Sequence, residues 1–269
     1  MKCCICGPVK NCGSFLDKVF KNIEKIGALF EEYKLVIFYD KSNDNTLLKL
    51  KEYQSKNPNF HLYINTKLVS NYRTIRLAYA RNFCVNYIKT NLPDYEYFIM
   101  MDFDDVNCKN CSPEILQKYL SRTDWDALSF NTSPKYYDIW ALSIYPYCFS
   151  YNHFENNVQQ YYKIQDYIME RLKNIQTGGL IRCISSFNGF SIYRINKFLN
   201  CYYDGKINLN LVPKNYIAAH MKAANSNIIF KDYGNVNGFV EDCEHRAFHV
   251  QGINKNDAKI MISPEIIFH

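Results

Sequence analysis

A chain of 269 residues, 48% of them hydrophobic and 22% charged, can bury a substantial core and is too apolar for large-scale disorder. Its net charge of +6 is spread along the sequence without a Lys/Arg run, which argues against nucleic acid as a partner and suits a small anionic ligand. The first residues contain no secretory apolar region, and no later segment offers about eighteen uninterrupted apolar residues, so we expect no membrane span.

Strands and helices alternate through the first half of the chain. Apolar runs predict strands at residues 3–6, 35–39, 60–64 and 97–101, and Gly7-Pro8 is expected to end the first of them. Helices are predicted between the strands, at residues 15–30, 46–56 and 74–90. This alternation predicts a mainly parallel sheet with right-handed crossovers. Ligands bind beyond the carboxyl ends of strands in such sheets, and Asp40 and Asp102 each follow a predicted strand directly.

The second half of the chain is less regular. Strands are predicted at residues 125–131, 185–193 and 259–268, with a helix at residues 152–174 and a short helix near Asp242. No linker or internal repeat interrupts the pattern. We therefore expect a single α/β domain over residues 1–269.

The strongest chemical signal is YFIMMDFDDVN at residues 97–107, an apolar strand that runs into three carboxylates. Alternation places Asp102 and Asp104 on the same side of the chain, where their repulsion favours a divalent cation between them. Such a cation would also act as a Lewis acid on a departing diphosphate. Arg73 and Arg76, three residues apart, could hold the phosphates. The alternative to a metal site is that these carboxylates form an acidic turn that caps the next helix.

An apolar strand that ends in Asp-x-Asp after three β-α units resembles the DxD motif of GT-A glycosyltransferases, which have a Rossmann-like fold. Three further motifs strengthen the resemblance. The turn from Asp40 to Thr46 resembles the turn after the second strand of GT-A enzymes, and Ala80-Arg81-Asn82 is similar to a motif of α-mannosyltransferases of the fungal Golgi and capsule-forming types. Tyr137-Asp138-Ile139-Trp140 is similar to a motif of the capsule-forming type. The resemblance implies metal-dependent transfer of a sugar from a nucleotide diphosphate, such as GDP-mannose or a UDP-sugar, to a hydroxyl of a glycan acceptor. Residues 1–107 would form the nucleotide-sugar half and residues 108–269 the acceptor half.

The resemblance also assigns roles to individual residues. Contacts to the nucleotide sugar are expected from Pro8, Asn11, Asp40, Arg76, Arg81, Asp102 and Phe103. Mn²⁺ or Mg²⁺ would be held by Asp102, Asp104 and His269, with His245 and His249 as rival candidates for the histidine ligand. Acceptor contacts are expected from Asp138, Trp140, Asn188 and Gly189. Asp242 would face the acceptor hydroxyl, backed by Glu241 and Glu244, as a general base in an inverting enzyme or as an orienting group in a retaining one.

Two other functions remain open at this level. An inactive GT-A-like carbohydrate-binding protein would share the fold, and a HAD-type phosphatase carries Asp-x-Asp, but there the motif opens the fold and continues with Gly-Thr. Eleven cysteines in a chain without a signal peptide predict free, buried thiols. We expect a soluble protein of the cytoplasm or another reducing compartment, and the AT-rich composition suits a virus-encoded enzyme in a host cytoplasm.

Overall fold

The computed structural model describes residues 1–229 and 241–269. One sheet of eight strands runs in the order β3-β2-β1-β4-β7-β5-β8-β6. The strands are β1 (Lys2–Val9), β2 (Glu32–Tyr39), β3 (Phe60–Ile64), β4 (Tyr97–Met101), β5 (Ala127–Asn131), β6 (Ile181–Cys183), β7 (Phe190–Arg194) and β8 (Ile260–Ile266). The helices are α1 (Leu16–Gly27), α2 (Thr46–Lys56), α3 (Arg73–Asn91), α4 (Pro113–Leu120), α5 (Asn157–Asn174), α6 (Lys214–Ala224) and α7 (Glu244–Asn256).

The sheet is mainly parallel, as predicted. Strand β1 pairs in parallel with β2 and β4, β2 pairs in parallel with β3, and β5 does so with β8. The pairs β4–β7, β5–β7 and β6–β8 are antiparallel. The chain moves from β1 to β2 and β3 on one side and then returns to β4 on the other. The gap between the ends of β1 and β4 is thus a topological switch point, where α/β sheets bind ligands.

Helices cover both faces of the sheet. Alternate residues of β1 enter opposite cores, with Cys4 and Cys6 facing the core that includes α3, α5 and α7, and Cys3 and Ile5 facing the core that includes α1 and α4. All eleven cysteines are free thiols, and ten of them are buried, as predicted. Within the described part of the chain, no helix combines the length and apolar composition needed to cross a bilayer.

Several predicted boundaries were wrong for identifiable reasons. Strand β1 continues through Gly7-Pro8, because its pairing with β4 stops at Cys6 and Pro8 pairs with β2 alone. Strand β7 begins only at Phe190, since Asn188 and Gly189 before it have φ values of +56° and +82°, which an extended strand does not allow. Helix α7 runs for 13 residues rather than one short turn, and its residues Glu244–Gly252 are all buried, so it lacks an amphipathic period.

Candidate active site

A cleft of about 270 Å³ opens at the carboxyl ends of β1, β2 and β4, at the switch point. The segment after β1, the end of β2 and the start of α3 form three of its walls, and the turn after β4 forms the fourth. Its charged and polar lining includes Lys10, Asp40, Asn65, Arg73, Arg76, Arg81, Asp102 and Asp104, with Pro8 and Phe103 among the apolar contacts. Seven of the expected donor and metal residues, from Pro8 to Asp104, therefore meet in one cavity.

The turn from Asp40 to Thr46 is fastened to the segment that follows β1. The backbone N–H of Asn11, which has a φ of +53°, donates to Ser42 Oγ at 2.9 Å, and its Oδ1 accepts from the N–H of Asn43 at 2.8 Å. Asp44 accepts from the N–H of Gly13 at 3.0 Å. These bonds join the two strand-end loops beside the cleft. The side chain of Asn11 takes part in this junction, and its expected contact with the nucleotide sugar stays a prediction.

Asp40 lies in the cleft with both carboxylate oxygens oriented by partners. Lys10 Nζ contacts Oδ2 at 3.0 Å, and Asn65 Nδ2 donates to Oδ1 at 3.2 Å. Sequence reasoning missed both partners. Each follows a strand of the same sheet directly, so the strand-end rule that selected Asp40 could have found them.

Asp102 is held by a buried ion-pair chain. Arg81 Nη2 donates to Asp102 Oδ1 at 3.0 Å, and Arg81 Nη1 contacts the carboxylate of Glu244 at the start of α7. The guanidinium also lies 4.9 Å from the ring centroid of Phe187. Burial raises the pKa of Asp102, against the opposing charge of Arg81. The contacts of Arg81 thus link the acidic turn after β4 to the C-terminal acidic patch.

Asp104 is the second carboxylate of the pair. Burial and then the neighbouring charge of Asp102 raise its pKa to about 7, although the N–H of Val106 donates to its Oδ1 at 3.2 Å. Two crowded carboxylates with raised pKa values are stabilised when a cation lies beside them. Oxygen donors of this kind fit Mg²⁺ or Mn²⁺.

The structure does not gather the complete metal set expected from the resemblance. Across residues 1–229 and 241–269, no three His, Cys, Asp or Glu side chains are grouped so as to hold a metal ion. His269 is exposed, and its backbone exchanges two hydrogen bonds of 3.0 Å with Asn110, which fixes the C-terminal residues beside the turn that follows Asp104.

The two rival histidines lie inside the core. His249 Nδ1 is 3.0 Å from Ser185 Oγ and its Nε2 is 3.0 Å from Tyr193 Oη, so both ring nitrogens are engaged. Burial and the charge of Arg246 lower the pKa of His249 to about 3. His245 stacks on Phe187 with ring centroids 3.8 Å apart. These contacts give both histidines packing roles.

The two arginines at the start of α3 differ in exposure and in the hydrogen bonds that their side chains make. Arg76 Nη1 donates to the carbonyls of Ser70 at 2.9 Å and Asn71 at 2.8 Å, so part of its guanidinium stabilises the β3–α3 loop. Arg73 is exposed at the mouth of the cleft. Its charge opposes the upward pKa shifts of Asp102 and Asp138.

The expected acceptor residues surround the turn before β7. Asn188 Oδ1 accepts from the N–H groups of Tyr137 at 3.2 Å and Asp138 at 3.1 Å, which orders the loop that carries both. Burial raises the pKa of Asp138, whose Oδ1 accepts from the N–H of Ala141 at 3.2 Å. Gly189 approaches Tyr137 so closely that an added Cβ would lie 2.6 Å from the hydroxyl. The Trp140 carbonyl accepts from Arg246 Nη2 at 2.7 Å.

The C-terminal acidic patch, residues 240–246, is bound up in structural contacts, and Val240 at its start lies outside the described residues. Glu241 Oε2 accepts from the N–H of Thr74 at 2.9 Å and from its hydroxyl at 2.6 Å, so it caps the start of α3. Asp242 Oδ2 accepts from Arg246 Nε at 2.9 Å, and its Oδ1 accepts from the N–H of Cys243 at 2.8 Å. Both carboxylates are buried. The structure therefore shows Asp242, just before α7, in an ion pair with Arg246 in the first turn of that helix.

The mainly parallel sheet and the cleft at its switch point are consistent with the GT-A glycosyltransferase fold. The chain belongs to glycosyl transferase family 2, whose family model matches residues 4–190. It is also similar to the uncharacterized glycosyltransferase MG060 of Mycoplasma genitalium, with 30% identity over 141 residues. That match covers 52% of this chain and 43% of the relative, so the chain matches less than half of the relative's length.

Solved structures show more distant likenesses. TarS 1-349 of S. aureus in complex with UDP-GlcNAc has 15% identity and a TM-score of 0.43, over 85% of this chain and 55% of that chain. The mannosyltransferase PcManGT of Pyrobaculum calidifontis, in complex with GDP-Man and Mn²⁺, has 12% identity and a TM-score of 0.43, over 76% and 47% of the two chains. At these identities and TM-scores, the ligands named for those structures are not assigned to this chain.

Proposed function

We propose that this glycosyltransferase binds a nucleotide-diphosphate sugar in the cleft at the switch point and transfers the sugar to a hydroxyl of a glycan acceptor. One observation carries the proposal. A paired carboxylate, Asp102 and Asp104, shares a cavity with the guanidinium groups of Arg73 and Arg76 at the carboxyl ends of parallel strands. The arginines suit phosphate oxygens, and Asp40 at the far wall suits the hydrogen-bond donors of a nucleobase.

A divalent cation, Mn²⁺ or Mg²⁺, fits the carboxylate pair. When bound, it would neutralise charge on the diphosphate and act as a Lewis acid for its departure. We propose Asp104 and Asp102 as protein ligands, with the diphosphate and water supplying the remaining oxygens. His269 stays the predicted third protein ligand. A His269→Ala variant tests it, because loss of a true ligand should weaken Mn²⁺ binding without donor present.

On the acceptor side, we propose that the loop of Tyr137, Asp138 and Trp140 contacts the incoming glycan. Two carboxylates compete for the role closest to the nucleophilic hydroxyl. Asp242 remains the predicted base, but that role requires it to exchange the partner Arg246 for the acceptor. Asp138 has a raised pKa and no ion pair among the described residues, which suits a group that takes up a proton.

The variants Asp138→Asn and Asp242→Asn separate these roles. Loss of the base should lower kcat and flatten the acidic limb of its pH profile, whereas loss of a structural ion pair should lower thermal stability and leave the shape of the profile unchanged. The anomeric configuration of the product, read by NMR, decides between inversion and retention.

The direct test of the activity is release of nucleotide from a panel of UDP-, GDP-, CMP- and dTDP-sugars with Mn²⁺, with and without glycan acceptors. Turnover of one donor by the wild type and its loss in Asp104→Ala would support the proposal. GDP-mannose is the first donor to try, given the likeness of two motifs to α-mannosyltransferases. Donor binding without any turnover would instead favour the inactive carbohydrate-binding protein.

A further inference from the structure

Two buried asparagines connect the acidic turn to the acceptor loop. Asn107 lies in the turn that follows β4, and Asn188 lies in the turn that precedes β7. The side chain of Asn107 donates to the carbonyl of Gly189, the residue that follows Asn188 in the chain. We propose that these two carboxamides are positioning residues that set the spacing between the Asp102–Asp104 pair and the loop of Asp138, an inference that rests on the proposed function.

The first half of the connection is made by Asn107. Its Nδ2 donates to the carbonyl of Asp102 at 2.7 Å and to the carbonyl of Gly189 at 2.7 Å. The Gly189 carbonyl also accepts from the N–H of Asp102 at 2.9 Å. One amide nitrogen therefore fixes the backbone of the first carboxylate residue against the turn before β7.

Burying the carboxamide of Asn107 is unfavourable unless its two donated hydrogen bonds are needed. Asn107 is fully buried, and its Oδ1 has no hydrogen-bond partner among the described residues. A buried acceptor left unpaired is unfavourable, so an apolar residue would suit the core better if only packing mattered. The two donated bonds supply the reason for a carboxamide at this position.

The second half is made by Asn188. Its Nδ2 donates to the Phe130 carbonyl at 2.8 Å, while its Oδ1 accepts from the N–H groups of Tyr137 and Asp138. Asn188 is buried, so it acts through this loop rather than by touching a glycan itself. Its φ of +56° is tolerated by asparagine and glycine, so Asn188→Gly removes the side chain without straining the backbone.

The two positions should have separable effects. Asn107→Ala should weaken binding of Mn²⁺ alone, measured by isothermal titration, by about tenfold, as found for groups that orient metal ligands. Asn188→Gly should instead raise the KM for the acceptor by a similar factor and leave Mn²⁺ binding within twofold of the wild type.

Asn256→Ala is the matched control. Asn256 Nδ2 also donates to two oxygens, the Lys197 carbonyl at 2.7 Å and Asn200 Oδ1 at 2.7 Å, but it lies at the distal end of α7. The control should lose stability without any change in Mn²⁺ binding. Asn107→Leu, which keeps the volume, replaces Asn107→Ala if the latter does not fold.

The outcomes separate this inference from the proposed function. Wild-type binding of Mn²⁺ and acceptor turnover establish the function independently of both variants. Folded Asn107 variants that bind Mn²⁺ like the wild type, or an Asn188→Gly variant with an unchanged acceptor KM, would overturn the positioning role. A wild type that binds no metal would instead count against the proposed function.

Discussion

Arg81 is the buried cation on which the acidic groups of the site depend. Its side chain is 3% exposed and contacts both Asp102 and Glu244, and the Glu244 side chain is also 3% exposed. In Arg81→Met the volume is largely kept, but Glu244 becomes an uncompensated charge in the interior. Removing one partner of a buried ion pair costs about 3–5 kcal/mol, and we expect the free energy of unfolding to fall by that amount.

A double-mutant cycle isolates the charge effect from the packing effect. Arg81→Met combined with Glu244→Leu removes both members of the fully buried pair and leaves only the partly exposed Asp102 without its partner, so the double variant should recover at least half of the loss. Urea unfolding followed by far-UV circular dichroism gives the free energies, provided that the m-value stays constant. A loss below about 1 kcal/mol in Arg81→Met, the size expected of an exposed pair, would refute the reasoning. So would a double variant that loses the sum of the two single changes.

Burial lowers the pKa of His220 and of His249 to about 3, so both stay neutral in the folded protein while the unfolded chain takes up protons near pH 6.5. The free energy of unfolding should therefore be highest above pH 7 and lower by about 2 kcal/mol per histidine at pH 5. His249→Gln should remove the contribution of His249 to this pH dependence, measured by urea unfolding. Glu241→Gln weakens the cap at Thr74 and should lower Tm by about 2–4 °C, a loss of about 1 kcal/mol, in differential scanning calorimetry. In Gly7→Ala the new Cβ would lie 2.2 Å from the Met101 carbonyl, so the ends of β1 and β4 must separate; we expect a loss of about 1–3 kcal/mol in urea unfolding.

The half of the site built on strand ends could be predicted from the sequence. Predicted strands 60–64 and 97–101 agree with β3 and β4 residue for residue. Strand β4 is buried throughout and appears as a continuous apolar run bounded by polar turns, whereas β3 is a half-buried edge strand. Asp40 and Asp102 were therefore found by position alone. The structure then added Lys10 and Asn65, whose contacts with Asp40 depend on the register of the neighbouring strands.

The C-terminal patch shows contacts that the strand-end rule does not predict. The resemblance places its carboxylates on the acceptor side, and the structure shows Glu241 and Asp242 in contacts within the protein. The spacing of Asp242 and Arg246, four residues apart across the start of α7, already permitted an ion pair. The cap on Thr74 joins residues 167 positions apart, and no local pattern predicts such a contact. Asn107 was overlooked for a similar reason, since one of its two partners, Gly189, lies 82 positions away.

The central claim is that the cleft holds a nucleotide-diphosphate sugar beside a cation on Asp102 and Asp104. A thermal-shift panel of UDP-, GDP-, CMP- and dTDP-sugars, each with and without Mn²⁺, tests it most directly, because a ligand that binds only the folded state raises Tm by mass action. We predict that one donor stabilises the protein in the presence of Mn²⁺ and fails to do so in Asp104→Ala. The absence of a shift with every nucleotide, or a shift that persists unchanged in Asp104→Ala, would contradict the claim.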